Sequence, residues 1–369
     1  MMLKKLFAAT VLAFGLLASL ALPAFACGGL VAPNGAIRLS RATTLVDWHN
    51  GIEHYMTSFT YQGDVSNLGW IVPLPSVPLK IEEGGAWTLQ RLSLETHPVV
   101  TEQNLLAAHV GASVSQAAVL QQVKVEALNI TVIRGSGQEV INWATNNGFA
   151  LDDDTRAHLL TYAKGSPIFM AAKYDTAAAK TRHQLRGDGS PVLITMKTAH
   201  PWIPFEVLAL DGQQVQADLY LLTDNPVNTS DTNVTIGQSA VGSEIPGAPG
   251  FKVAFQEKMT PTLFHDLSTD RNMGWVRSEG WLTYLSLDAP AEQVTYDMGI
   301  SPNGVIRLAP FGTPPMAIVD KQQQKQGLST VVQMPLGTPQ FVFSVVLLLG
   351  VCGVIVFWFV RARVHLRKS

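Results

Sequence analysis

Cysteine is almost missing: the 369 residues hold two, Cys27 and Cys352. No disulfide framework can therefore brace the chain, and its stability must come from a buried core, which a region the size of residues 27–339 can supply. Charge is sparse too, at 15% of residues. Six of the 26 lysines and arginines lie outside residues 27–339 and all 28 acids lie inside, which leaves that part at a formal −8. Such a balance argues against nucleic acid or an anionic membrane surface as its partner. Also missing are a Gly-x-Ser-x-Gly elbow, a Gly-Lys-Ser/Thr phosphate loop and a Gly-x-Gly-x-x-Gly turn, so no motif announces a serine hydrolase, a nucleotide or a dinucleotide. No cofactor is expected.

Two long apolar runs are present. Leu6–Leu22 follows Lys4-Lys5 and ends at Pro23, before Ala24-Phe25-Ala26. This is the pattern of a secretory signal over residues 1–26, with Cys27 as the first mature residue. Cys27 is then a candidate for lipidation, although Ala24-Phe25-Ala26 departs from a lipobox. Near the other end, Gln340–Val360 is 21 residues without a charge, enough to span about 31 Å as a helix. The tail at 361–369 carries Arg361, Arg363, Arg367 and Lys368 and no acid, which by the positive-inside rule belongs in the cytoplasm. The expected layout is a signal at 1–26, an extracytoplasmic domain at 27–310 with a sub-boundary near 135, a stalk at 311–339, a single transmembrane helix at 340–360 and a basic tail.

The domain reads as α+β and β-rich, built of antiparallel hairpins with a helix–helix–strand insertion. Asn50-Gly51 between Leu45–His49 and Ile52–Tyr61 is a strong hairpin signal. Its two-residue turn puts Val46, Trp48, Tyr55, Thr57 and Phe59 on one face, apolar but for Glu53, and that face should be buried. A second hairpin is expected about Asp211-Gly212, joining Phe205–Leu210 to Gln213–Leu222. Further strands are expected at Leu68–Val72, Val119–Ile133, Ile168–Tyr174, Val192–Thr198, Phe251–Phe255 and Trp281–Leu287, and a helix at Ala86–Thr96. Ser136-x-x-Glu139 is a capping box whose helix should stop at Gly148, and Asp152 can cap the next helix, with Lys164 in its last turn. Pro33–Leu39 and Pro302–Leu308 match at six of seven positions, which raises the expectation that the two strands are neighbours in one sheet.

Candidate chemistry gathers at the first hairpin. Asp47 falls opposite His54, with His49 two pairs nearer the turn on the same face; these are zinc-ligand types. The spacing is not that of a zincin helix, and a polar hairpin tip is often no more than wet. Two aromatic–proline segments, Gly69–Pro78 and Ala199–Phe205, offer either a ligand platform or rigid edges that pack Trp70 and Trp202 inward; the second reading is favoured. The acids Asp152–Asp154 are explained by helix capping.

Several of these segments carry a resemblance. Cys27-Gly28-Gly29, Gly69-Trp70-Ile71-Val72-Pro73-Leu74-Pro75, Ile141-Asn142-Trp143, Phe169-Met170-Ala171-Ala172-Lys173, Trp202-Ile203-Pro204 and Leu282-Thr283-Tyr284-Leu285 followed by Asp297 occur in order. In this the chain resembles the bacterial family known as domain of unknown function 2330. The resemblance implies a secreted, often membrane-tethered protein and no activity. A disulfide it would imply after Cys27 lacks its second cysteine here, and arginines common in the family are replaced by Glu206 and Tyr284.

The sequence thus leads to a non-catalytic envelope protein, anchored in the membrane by its C-terminal helix, whose outer domain binds a protein or ligand. The alternative is a surface hydrolase or metalloenzyme using Asp47, His49 and His54.

Overall fold

Asn50 and Gly51 take left-handed backbone angles, φ +50° and +79°, in a computed structural model of the chain. That is what a two-residue turn requires to match the twist of its strands. The structure describes residues 30–31, 37–63, 69–97, 118–149, 151–175, 177–178, 187–188, 191–209, 214–229, 240–301 and 303–318. The runs expected to form a signal and a transmembrane helix, and Cys27, lie outside these. Among the described residues no helix is long and apolar enough to cross a membrane.

In chain order the elements are β1 (Leu30–Val31), β2 (Ile37–His49), β3 (Ile52–Gly63), β4 (Gly69–Leu74), β5 (Pro78–Glu83), α1 (Thr88–Thr96), β6 (Ala118–Val125), β7 (Leu128–Arg134), α2 (Gly137–Asn146) and α3 (Asp153–Gly165). There follow β8 (Ile168–Tyr174), β9 (Gly187–Asp188), β10 (Val192–Lys197), β11 (Trp202–Ile203), β12 (Gln214–Thr223), β13 (Phe251–Lys258), α4 (Pro261–Ser268), β14 (Trp281–Pro290), β15 (Tyr296–Ile300) and β16 (Ile306–Pro310). The chain is β-rich α+β, as expected. The large sheet runs β13-β14-β12-β2-β3-β10-β5, with β9 on β3; a second runs β1-β4-β8-β7-β6, and a small third runs β11-β15-β16. Among the described strands, all pairs are antiparallel except β2 with β12.

The alternation in β2 and β3 decides the layering. Val46, Glu53, Tyr55 and Thr57 are buried on one face, with Leu45 and Met56 buried on the other. The first face joins one hydrophobic cluster with Trp70, Val72, Ile130 and Met170 of the second sheet and with Val140, Trp143, Leu159 and Tyr162 of α2 and α3. Phe59 meets Trp70 edge-on, with ring centroids 4.3 Å apart. The other face is covered by Leu89 and Leu92 of α1, Leu263 and Leu267 of α4, and Met273 and Val276. Each fully buried large apolar side chain contributes roughly 1.5–3 kcal/mol, so both faces are anchored.

The capping signals hold. Ser136 and Glu139 form a reciprocal capping box, and Asp152 accepts the Thr155 N–H at 2.7 Å. Three expectations are corrected. Phe205–Leu210 is not a hairpin strand: Glu206–Leu208 is a 3-10 turn, and β12 pairs with β14 and β2 instead. The likeness of Pro33–Leu39 to Pro302–Leu308 does not make neighbours, because β2 lies in the large sheet and β16 in the small one. The segment expected to lift off at 311 is still packed: Phe311 stacks on His158 at 5.0 Å, and Ile318 is buried. Aromatic and branched side chains there find apolar surface that a reading of periodicity does not register.

Candidate functional site

The hairpin tip is tied to the segment that follows β10. The Thr198 N–H donates to the Gly51 carbonyl at 3.1 Å, and the Trp48 indole N–H donates to the Thr198 carbonyl at 3.2 Å. On the other side, the proline run after β4 leaves the second sheet at Leu74, whose carbonyl accepts the Ser166 hydroxyl. Between these walls opens a cleft of about 420 Å³, lined by Asn50–Ile52, Pro75, Ser76, Lys197–His200, Pro315 and Met316. That volume suits a small ligand or a short stretch of peptide.

Both aromatic–proline segments therefore reach the same place. Their tryptophans are buried, Trp70 at 4% and Trp202 at 2% exposure, as rigid-edge packing requires. Their proline-flanked ends form the cleft walls, fixed in φ and short of backbone donors. Among the described residues, Ser76 Oγ, Thr198 Oγ1 and His200 Nε2 are buried atoms with no hydrogen-bond partner. His200 Nδ1 donates to the Pro201 carbonyl at 2.8 Å, which leaves Nε2 as the ring nitrogen without a partner. Gly299 makes room for this ring: a Cβ there would stand 3.1 Å from His200 Cε1. Buried polar atoms without partners are uncommon and call for an explanation, and three of them belong to residues that line this one cleft.

A carboxyl lies behind this wall. Glu53 is fully buried, and its Oε1 accepts the Trp202 N–H at 3.2 Å. Burial pushes Glu53 up to about 8, against the pull of the Trp202 amide and the nearby Thr198 hydroxyl. The Thr198 hydroxyl stands close enough to favour the ionised acid without meeting hydrogen-bond geometry.

Asp47, His49 and His54 sit on the opposite face of the hairpin. Asp47 pairs with His54 in register, with Oδ2 to His54 Nδ1 at 3.3 Å. His49 instead bonds Asp224 at 3.1 Å. Arg277 joins the two pairs, reaching Asp47 Oδ1 at 3.2 Å and Asp224 Oδ1. His54 lies flat on Trp275, centroids 4.2 Å apart. The positive charge between the two acids is thus the guanidinium, and among the described residues no three His, Cys, Asp or Glu are grouped to hold a metal ion.

Sequence reasoning reached the cleft only as two proline segments and did not single out Ser76, Thr198 or His200. Glu53 was legible as an acid within an apolar face. The chain belongs to the bacterial family of uncharacterised conserved proteins, domain of unknown function 2330, which matches residues 22–290. No curated protein and no solved structure matches it.

Proposed function

Taking membership of that bacterial family as the premise, we propose that this chain is a non-catalytic binding module of the cell envelope, and that the cleft between the hairpin tip and the two proline segments takes its ligand. One observation carries the reading: Ser76 Oγ, Thr198 Oγ1 and His200 Nε2 line the cleft or its wall without partners. A hydroxyl pair and a bare imidazole nitrogen suit a neutral or polar ligand that offers N–H or O–H donors, such as a sugar or a peptide backbone. Among the described residues no nucleophile, base and orienting group are joined there by hydrogen bonds, as acyl or glycosyl transfer would need.

The placement belongs to the same proposal and rests on the sequence. A cleaved signal at 1–26 would export the domain, the run 340–360 would anchor it and the basic tail would stay inside. Residues 319–339 would then be the spacer. No nucleic-acid partner fits the acidic domain.

The test is a thermal-shift screen of cell-wall sugars and short peptides on the full chain in detergent, run beside Thr198→Val and His200→Ala. The expected result is a compound that raises the wild-type midpoint and loses its effect in both variants. Compounds that act equally on all three proteins would sink the assignment. N-terminal sequencing of membrane-fraction protein should begin at Cys27, and protease added to intact spheroplasts should remove the domain.

A further inference from the structure

The segment from Pro201 to Val207 runs on from the cleft lining at Lys197–His200 and has little strand pairing of its own. β11 supplies two pairs, Trp202 with Gly299 and Ile203 with Met298. The Ile300 N–H donates to the Pro201 carbonyl at 3.2 Å, Phe205 packs edge-on against Phe251, and further hydrogen bonds come from side chains of three other elements. Glu53 of β3 accepts the Trp202 N–H at 3.2 Å. Asp297 Oδ1 of β15 accepts the Phe205 N–H at 3.0 Å and the Tyr162 hydroxyl at 2.8 Å. That hydroxyl in turn accepts the Val207 N–H at 3.1 Å. Glu206, on the segment itself, meets Nε2 of His158 of α3 at 2.8 Å.

The three carboxyls share an unusual geometry. Glu53 and Asp297 are 0% exposed and Glu206 6%. Each uses one oxygen, while Glu53 Oε2, Asp297 Oδ2 and Glu206 Oε2 have no partner. Among the described residues no lysine or arginine is hydrogen-bonded to any of them. Glu53 faces the Trp202 amide, the Thr198 hydroxyl and Tyr55. Asp297 faces Tyr162, the amides of Phe205 and Glu206, the Glu206 carboxyl and Tyr55. His158 also meets the Asp154 carbonyl at 2.7 Å. A buried carboxylate with a bare oxygen and no cation is far costlier than the neutral acid.

We propose that Glu53 and Asp297, with the His158–Glu206 pair, form a proton-operated clip: their protonated forms hold in place the segment that continues the cleft lining, and loss of their protons loosens it, so that occupancy of the cleft is coupled to pH. Only the last clause rests on the cleft being the binding site. The electrostatics agree with the geometry. Burial pushes Glu53 up to about 8 and Asp297 up to about 7, the latter against the Tyr162 hydroxyl and the Glu206 and Phe205 amides. Burial raises Glu206 as well, against the pull of His158. Burial disfavours the His158 imidazolium, but the Glu206 carboxylate and the Asp154 carbonyl outweigh it and hold its pKa above the ordinary value. All four groups bind protons more tightly folded than unfolded, so the stability they give is full in mild acid and falls as pH climbs toward the folded values.

Hydrogen exchange read by mass spectrometry, on the full chain in detergent with no ligand, tests the clip. After correction for intrinsic rates, peptides covering 198–208 should open about tenfold more per pH unit as pH rises through about 7 to 8, while peptides of β12 stay level. Glu53→Gln combined with Asp297→Asn should flatten that profile. Opening that is independent of pH in the wild type, or a profile that survives in the double variant, overturns the proposal. If the double variant does not fold, the infrared band of protonated carboxyls in the wild type decides: present near pH 6 and fading by about pH 8.5 supports the clip, and absent near pH 6 overturns it. Failure of the ligand screen leaves these outcomes untouched, since no ligand enters them.

Discussion

The Glu53 carboxyl accepts the backbone N–H of Trp202 across 149 residues of sequence. It joins a strand of the large sheet to the segment that runs on from the cleft lining at His200, and it does so from a fully buried position.

Replacing this acid with its amide should be harmless or favourable at alkaline pH. The folded pKa of Glu53, about 8, lies above its ordinary 4.5, so the wild type loses stability as pH rises between those values. Glu53→Gln keeps a carbonyl for Trp202 and has no proton to lose. Urea titrations should show the variant equal to or above the wild type at about pH 8, with the wild type losing a few kcal/mol, roughly, from pH 5 to pH 8. A wild type that grows more stable over that interval would contradict the burial argument.

The hairpin tip should tolerate no side chain at its second position. Gly51 sits at φ +79°, and its carbonyl holds Thr198. Gly51→Ala should cost about 1–2 kcal/mol from the left-handed conformation alone. Its effect should also reach the cleft, as faster exchange at Thr198 than at residues of β14.

Asp270 caps α1 from a distance. Its carboxylate accepts the N–H groups of Ala86, Trp87 and Thr88 and the Thr88 hydroxyl, all within 3.1 Å. No side chain at the helix's own N-cap, Trp87, does this work. Asp270→Ala strands several buried donors and should cost roughly 3 kcal/mol or more. Gly85→Ala should be comparably harmful, because a Cβ there would lie 2.5 Å from Asp270 Oδ2.

Arg277 holds Asp47 and Asp224 together. The Asp47 side chain is 3% exposed and that of Arg277 25%. Arg277→Ala leaves Asp47 buried beside His54 alone and should cost roughly 2–3 kcal/mol in chemical denaturation, less than a fully buried pair because the guanidinium is partly wet. Asp47→Asn should cost less than Arg277→Ala. A chelator should leave the wild-type midpoint unchanged, since the cation between these acids is the Arg277 side chain. A drop on chelation would restore a metal at Asp47, His49 and His54.

Much of the fold was legible because it is local. Asn50-Gly51 specifies its turn, Ser136 with Glu139 starts its helix, and the alternation that sets Val46, Tyr55 and Thr57 on one side marks that face as buried, whereas the cover over Leu45 and Met56 on the other face comes from the tertiary structure. The Asp211-Gly212 reading failed for the converse reason. Pro204 and the buried Phe205 draw the chain into a 3-10 turn against the core, and packing there overrides the local preference. Asp47 facing His54 was legible from register, whereas Asp224 and Arg277 come from distant segments and no spacing announces them.

By itself the sequence determined the class, the strand faces, the helix caps and the family, all of which depend on neighbours within a turn or a pleat. It also placed an acid, Glu53, within an apolar face. Only the tertiary structure decided that Ser76, Thr198 and His200 share one cleft, and that Glu53, Asp297 and Glu206 tie down the segment running on from it. Hydrogen bonds between residues 48 to 149 positions apart carry no periodic trace along the chain. They exist because the large sheet, the small sheet and α3 bury their facing sides together, and a buried amide must find an acceptor wherever the packing has put one.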